Sequence, residues 1–323
     1  MHALTFSRFG GPDVLEWTQL PDPRPAPGFA IVRTAAIGLN FADVYRRQGR
    51  YHLAGSAPWI AGYEAAGTIA DLHVEDSDGH WLVGQRVAFA DCPHANAECV
   101  AVPLDKLIRL PEAIDFDTAA AVLLQGLTAQ FLVSDSHAVR AGETVLVHAA
   151  GGGVGLLLTQ LAAARGARVI ALASSRDKLD AALQAGAIAA VLSGDADWAA
   201  RAREQLGEGA DVVYDSIGRT LRDSLMLART GGTVVFYGMA AGDPDPVDPR
   251  LLMDRSLTLV GGDLWNVLTS AQQRQARADA LFAAIEQGRL KVPVAARIPL
   301  REGARAHALL EGRSVSGKVL LIP

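Results

Sequence analysis

The chain has 323 residues, which is long enough for two domains. Half of the residues are apolar and a fifth are charged, as in a soluble globular protein. The formal net charge of −5 and the absence of a long cationic run disfavour a nucleic-acid-binding surface. No uncharged apolar stretch reaches the roughly 18 residues expected of a membrane-spanning helix, so no membrane span is predicted. Two cysteines do not make a disulfide framework, and we expect a reducing, cytoplasmic setting.

The N-terminal third is predicted to be rich in strands. Short β-branched or apolar runs alternate there with Gly, Pro and Asp turns. The predicted strands are residues 30–36, 66–72 and 85–90. The proline-rich segment 21–27 is predicted to be an extended connector.

Beyond this region the pattern becomes one of alternating helices and strands. A helix is predicted over 117–133, and the strands that follow are predicted at 144–149, 167–173, 189–192, 211–215, 233–237 and 257–260. This alternation indicates a parallel sheet covered by helices on both faces. The last part of the chain is predicted to contain one helix, 271–287, and then strand-like segments ending at 318–322 that return to the first domain.

A glycine-rich turn separates the strand at 144 from a helix that runs from Val154 to Ala164. The spacing fits G-x-G-x-x-G with an alanine in the first place. Such a turn lets the backbone approach a pyrophosphate, to which the helix start offers N–H groups and a positive dipole end. The alternative is a tight connection without a ligand. The predicted cofactor-binding residues are Ala150, Gly152, Gly153, Val154 and Gly155.

The end of the second strand of this unit indicates which dinucleotide is bound. An NAD site usually has an acid there for the ribose 2′-hydroxyl, whereas this chain has Ser174, Ser175, Arg176 and Lys178. Hydroxyls and cations suit a 2′-phosphate, so the sequence favours NADP(H), although Asp177 weakens the charge argument. Alternatively, a serine caps the next helix and both cations are solvated.

Several segments, in order, resemble one known family. They are 38–43 (GLNFAD), 62–67 (GYEAAG), 125–129 (QGLTA), 148–155 (HAAGGGVG) and 317–320 (GKVL). They resemble the zinc-independent quinone oxidoreductases, the zeta-crystallin-like branch of the medium-chain dehydrogenase/reductases. The resemblance implies an α/β chain: a GroES-like β-rich catalytic domain over 1–121 and 263–323, and an inserted Rossmann domain with a doubly wound parallel sheet over 122–262.

The resemblance also implies an activity and a set of site residues. The activity is NADPH-dependent reduction of quinones or activated alkenes, which accept hydride without a Lewis acid because charge spreads onto oxygen. Expected catalytic residues are Asn40, Asp43 and Tyr45. Further expected cofactor contacts are Asn40, Thr128, Ser216, Tyr237, Gly238 and Lys318, and expected substrate contacts are Tyr45, Tyr51 and Trp265.

Each of these roles has a simpler structural alternative. Tyr45 could be a half-buried aromatic with its hydroxyl in water, Thr128 could bond its own helix backbone, and Trp265 could be ordinary packing. We expect Glu64 to be an ion-paired structural residue. Ser193, where some relatives carry a tyrosine near the adenine, weakens the preference for NADPH slightly.

No metal is expected. Zinc-dependent relatives carry a cysteine at the place of Asn40 and a histidine at the place of Tyr63, and asparagine and tyrosine are poor substitutes for these ligands. Cys92, His94 and Cys99 could supply three ligands elsewhere, but a structural zinc normally takes four.

The sequence leaves two alternative functions open and predicts a homodimer. The alternatives are a 2-enoyl-thioester or alkenal reductase, and a non-catalytic, crystallin-like NADPH-binding protein. Residues 256–261 alternate polar and apolar side chains without internal charge, which predicts an edge strand that pairs with its twofold copy in a homodimer. The competing interpretation is an interior strand that is already paired on both sides.

Overall fold

The computed structural model describes residues 1–73 and 80–323. The chain divides into two compact units, one formed by Met1–Leu127 with Leu268–Pro323 and the other by Thr128–Val267. The domain boundaries expected after residues 121 and 262 lie a few residues before the observed boundaries, which follow Leu127 and Val267. The strands are β1 (His2–Phe6), β2 (Glu16–Gln19), β3 (Phe29–Leu39), β4 (Trp59–Ile60), β5 (Glu64–Leu72), β6 (Arg86–Ala90), β7 (Cys99–Pro103), β8 (Ile108–Arg109), β9 (Thr144–Val147), β10 (Arg168–Ala173), β11 (Ala189–Leu192), β12 (Ala210–Asp215), β13 (Ala228–Phe236), β14 (Thr258–Gly261), β15 (Val294–Pro299) and β16 (Lys318–Ile322).

The α-helices lie mainly between the later strands. They are α1 (Phe41–Arg47), α2 (Phe116–Phe131), α3 (Gly153–Ala164), α4 (Arg176–Gln184), α5 (Trp198–Leu206), α6 (Leu221–Leu227), α7 (Pro249–Asp254), α8 (Ala271–Glu286) and α9 (Gly303–Glu311). With the π-helical turn that follows it, α2 forms a 21-residue segment, Phe116–Ser136, that is long and apolar enough to cross a membrane. Its most apolar stretch is 67% buried inside the protein, as is typical of a core helix.

The first unit is built on two sheets. A small sheet has the order β2-β1-β4, and a larger one has the order β15-β16-β3-β5-β6-β8, with β7 also on β3. The pairing is antiparallel except between β15 and β16. The predicted strands at 30–36, 66–72 and 85–90 are confirmed as β3, β5 and β6 with shifted ends. Val319 of β16 lies opposite Leu39 of β3, so the end of the chain does return to this unit.

The second unit contains one parallel six-stranded sheet with the order β11-β10-β9-β12-β13-β14. Strands occur at all six predicted places, most of them with shifted ends. The strand order reverses between β9 and β12, and in open α/β sheets ligands bind outside the carboxyl ends of the strands at such a switch point. The apolar core of the unit includes Leu146, Ile170 and Val213 from these strands.

Two predictions about local structure are wrong. The strand predicted over 144–149 ends at Val147, because Ala149 adopts a left-handed backbone conformation (φ +49°) that starts the glycine turn. The C-terminal region contains two helices, α8 and α9, where one was predicted. Helix α9 is only nine residues long and starts at a glycine, so its local signal is weak, and burial of Ala306 in the core stabilises it.

Candidate active site

The glycine turn in the second unit is tight. Gly152 is the N-cap of α3, and the first helical hydrogen bond runs from Leu156 N to Gly152 O (2.9 Å). A Cβ at Gly155 would lie 2.3 Å from Ala149 O, and one at Gly151 would lie 2.5 Å from Lys178 Cβ. The N–H groups of the first turn of a helix have no carbonyl partner within that helix, and N–H groups at such a position bind anions such as a pyrophosphate.

The residues at the end of β10 separate into two environments. Ser174, Ser175 and Arg176 are exposed where β10 ends and α4 begins, whereas Lys178 is buried. The interpretation of Lys178 as a solvated cation is therefore wrong, because its stem packs against Gly151 in the turn. Ser175 occupies the N-cap position of α4, but its side chain accepts no capping hydrogen bond. Its hydroxyl therefore does not serve the helix start.

A buried polar network surrounds Asn40 in the first unit. The Asn40 Nδ2 group donates to Gly38 O (3.2 Å) and to Glu64 Oε2 (2.8 Å). Its Oδ1 atom accepts from Lys318 Nζ (2.9 Å) and Gln125 Nε2 (3.2 Å). Two donors and two acceptor positions are the full capacity of a side-chain amide, so the network fixes its orientation completely.

The charge centre of this network is an ion pair between Glu64 and Lys318. Lys318 Nζ lies 2.6 Å from Glu64 Oε2, and the two side chains are 1% and 0% exposed. The other oxygen, Glu64 Oε1, accepts from Leu124 N (2.6 Å). The expectation that Glu64 is an ion-paired structural residue matches this geometry. Gly38 makes room for the pair, because a Cβ there would lie 2.3 Å from Glu64 Oε2.

Asp43 and Arg46 form a second buried pair on α1. Asp43 Oδ2 accepts from Asn40 N (2.9 Å), and Asp43 Oδ1 accepts from Arg46 (3.3 Å). Burial raises the pKa of Asp43, against the opposing effect of Arg46. The Arg46 guanidinium carbon lies 3.4 Å from the centre of the Tyr63 ring and 5.1 Å from that of Tyr51, two cation–π contacts.

The residues at the place of a catalytic zinc do not fit that ion. The oxygens of Asn40 and Glu64 hold the Lys318 ammonium, and the Tyr63 ring lies under the Arg46 guanidinium. Burial raises the pKa of Cys92 to about 12, and its Sγ contacts two carbonyl oxygens at 3.7 Å. Within residues 1–73 and 80–323, no three His, Cys, Asp or Glu side chains are grouped to hold a metal.

The other expected site residues belong partly to the first unit and partly to the second. Tyr45 is buried on α1, with its ring centre 6.1 Å from that of Phe41. Ser216 follows β12 and Gly238 follows β13, and a Cβ at Gly238 would lie 3.2 Å from Ser216 O, so these two are adjacent. Residues with half-buried side chains are Tyr51, Thr128, Tyr237 and Trp265.

The sequence interpretation missed one cluster in the second unit. His148, Asp215 and Ser224 are buried and joined through the Ser224 hydroxyl, which lies 3.0 Å from His148 Nε2 and 2.6 Å from Asp215 Oδ2. The available signal was a histidine next to the glycine turn and an aspartate at the end of a buried strand. This is not a hydrolytic triad, because the aspartate contacts the serine rather than the histidine.

Two family models match the chain. Residues 26–141 match the alcohol dehydrogenase GroES-like domain, and residues 153–278 match the model described as zinc-binding dehydrogenase. Together they define a two-domain dehydrogenase of the medium-chain class. The chain belongs to the quinone oxidoreductase branch of the medium-chain dehydrogenase/reductase superfamily, as its relatives show.

Three of these relatives span almost the whole chain. A quinone oxidoreductase of Pseudomonas aeruginosa is 38% identical over 324 residues and 99% of both chains. A 2-haloacrylate reductase of a Burkholderia species is 36% identical and covers 99% of this chain and 98% of its own. The crystal structure of Escherichia coli quinone oxidoreductase complexed with NADPH superposes with a TM-score of 0.95 at 35% identity, covering 100% of each chain. The fold and family predicted from the sequence are therefore confirmed.

The buried ion pair generates a stability prediction. Replacing either partner alone, as Lys318→Met or Glu64→Gln, leaves one charge buried without its counterion and should lower the free energy of unfolding by about 3 kcal/mol or more. The double variant removes both charges and should lose less than either single variant. Urea denaturation measures these differences.

The control for this experiment is Arg297→Met, which breaks an ion pair with Asp117 whose side chains are 55% and 29% exposed. This substitution should cost less than about 1 kcal/mol. Additive losses in the double variant of Glu64 and Lys318 would show that the pair is not coupled.

Proposed function

We propose that the protein is an NADPH-dependent oxidoreductase that reduces quinones or activated α,β-unsaturated carbonyl compounds without a metal ion. The observation that carries the proposal is the Lys318 ammonium between Asn40 and Glu64, where zinc-dependent relatives hold their metal ligands. The Lys318 ammonium holds the Asn40 and Glu64 side chains in place, and it does not act as a Lewis acid on a substrate oxygen. The acceptor must therefore itself delocalise the charge that hydride transfer delivers.

Cofactor binding is assigned to the second unit. The turn at Gly152–Gly155 and the start of α3 bind the pyrophosphate, and the exposed Ser174, Ser175 and Arg176 bind the 2′-phosphate. When bound, NADPH supplies hydride from its nicotinamide ring. The relative from Escherichia coli was crystallised with NADPH, which supports the same cofactor here.

Substrate handling is assigned to the first unit. The amide of Asn40 already has all its partners, so its role is to hold the site together rather than to contact the reacting oxygen. The Tyr45 phenol is the group that would donate a hydrogen bond to the developing quinol or enolate oxygen. Asp43, neutralised in part by Arg46, fixes the start of the helix that carries Tyr45. A second candidate is reduction of an activated alkene acid, which the Burkholderia 2-haloacrylate reductase favours.

The proposed activity is tested with a panel of quinones, enones, 2-haloacrylate and a simple ketone, each with NADPH. We expect turnover of the first two classes, no turnover of the ketone, and unchanged rates in a chelator. Tyr45→Phe should lower kcat by about 100-fold, the usual share of a positioned proton donor. One tightly bound zinc per chain, removed by the chelator together with the activity, would contradict the metal-free proposal. No turnover of any acceptor would favour a non-catalytic NADPH-binding protein.

Cofactor preference depends on the exposed Arg176. We expect NADPH to bind at least about tenfold more tightly than NADH, and Arg176→Ala to weaken NADPH binding while NADH binding is nearly unchanged. Fluorescence titration measures both dissociation constants. Arg168→Ala is the matched control, since Arg168 is exposed at the opposite end of the same strand and should leave both constants unchanged. Equal losses for the two cofactors in Arg176→Ala would exclude contact with the 2′-phosphate.

A homodimer is proposed through β14. Among the described residues this strand pairs only with β13 and forms the edge of the sheet, so the interpretation as an interior strand is wrong. Pairing with a twofold copy would satisfy its outer N–H and C=O groups and continue the sheet.

Two substitutions in β14 test this assembly. Thr258→Pro removes a backbone donor, and Thr258→Lys places like charges near the twofold axis, so both should shift the protein toward monomer in sedimentation velocity. The lysine variant keeps the backbone donor, so it separates loss of pairing from misfolding of the strand. A monomeric wild type at micromolar concentration would refute the dimer.

A further inference from the structure

The missed cluster of His148, Asp215 and Ser224 lies at the switch point of the parallel sheet. His148 directly follows β9, and Asp215 is the last residue of β12, the two strands between which the order reverses. His148 N also donates to Tyr214 O (3.0 Å), so the ends of both strands are joined through backbone and side chain. All three side chains are 2% exposed or less.

The proton positions in this cluster follow from the charges. Burial alone would raise the pKa of Asp215, but the His148 ring and hydrogen bonds from Ser224, Ile217 N and Thr220 hold it below its usual value. Asp215 is thus a carboxylate, and the Ser224 hydroxyl donates to it. The Ser224 oxygen then accepts from His148 Nε2–H. Burial lowers the pKa of His148 against the opposing effect of Asp215. Because the Ser224 proton is donated to Asp215, the ring carries a proton on Nε2.

The Asp215 carboxylate also organises the loop that follows β12. Its Oδ1 atom accepts from Ile217 N (2.8 Å) and Gly218 N (3.2 Å), and its Oδ2 atom accepts from Thr220 Oγ1 (2.8 Å). Residues after β13 hold the same loop, since Tyr237 N donates to Asp215 O and Ala240 N donates to Ser216 O (both 2.9 Å). The carboxylate therefore serves its own loop rather than a ligand.

We propose that His148, Ser224 and Asp215 form a positioning network that sets the loop 215–218 for the nicotinamide half of the dinucleotide. This inference rests on the proposed use of NADPH. The 2′-phosphate residues lie at the end of β10, on one side of β9, and they define the adenosine half of the site. The loop 215–218 lies on the other side of the switch point, so the network acts on the half of the cofactor that carries the hydride.

The test compares NADPH with adenosine 2′,5′-bisphosphate, which contains only the adenosine half. Ser224→Ala and His148→Leu should each raise the Kd for NADPH about tenfold, because a hydrogen bond in a chain to a carboxylate is lost, and should change the Kd for the bisphosphate less than about twofold. His148→Gln keeps an N–H donor and should restore most of the NADPH affinity. Ser134→Ala, at an exposed serine of the same unit, should change neither constant.

The other outcomes of these titrations would overturn the proposed positioning role. Equal losses for both ligands, or no binding of either ligand by all the variants, would show a structural role and overturn the positioning role. Unchanged NADPH affinity in Ser224→Ala and His148→Leu would overturn it as well. A wild type that does not bind NADPH at all would refute the proposed function and this inference together, whereas a binding wild type with unaffected variants would refute the inference alone.

Discussion

The first unit depends on the buried ion pair between Glu64 and Lys318. Removing two charges from water is costly, and the cost is offset only when every oxygen and proton of the pair finds a partner. Here Glu64 is bonded by Lys318, by the Asn40 amide and by a backbone N–H of α2. The pair joins residues 254 positions apart, so it fastens the last strand of the chain to the strands and helices of the N-terminal region.

The same ion pair is the basis of the chemistry that we propose for the first unit. The buried cation beside Asn40 is an ammonium fixed to the chain, which has no open coordination position. The Arg46 guanidinium, likewise fixed to the chain, lies over the Tyr63 ring. On our proposal that no metal takes part, catalysis rests on orientation and hydrogen-bond donation, which suffice for acceptors that spread charge onto oxygen.

In our proposals, different residues of the second unit bind the cofactor and position it. In the proposed function, the partly buried backbone of the glycine turn and the exposed Arg176 side chain meet the phosphates. The His148, Ser224 and Asp215 side chains are buried and bonded to each other, and their proposed role is to position the loop after β12 rather than to contact a ligand. Both sets lie at the carboxyl ends of the strands, where the parallel arrangement gathers residues that are distant in the chain.

The sequence by itself determined the parallel sheet, the glycine turn, the strand-end cations and the family, because periodicity, turn glycines and motif spacing are local properties. It could not reveal that the Asn40 amide is saturated or that Lys178 packs on the turn, since these facts depend on contacts between distant segments. Helix α9 was missed for the same reason, as burial of Ala306 outweighs its weak local preference. Only the tertiary structure decided these features, because a buried polar group takes its state from the partners that the fold brings to it.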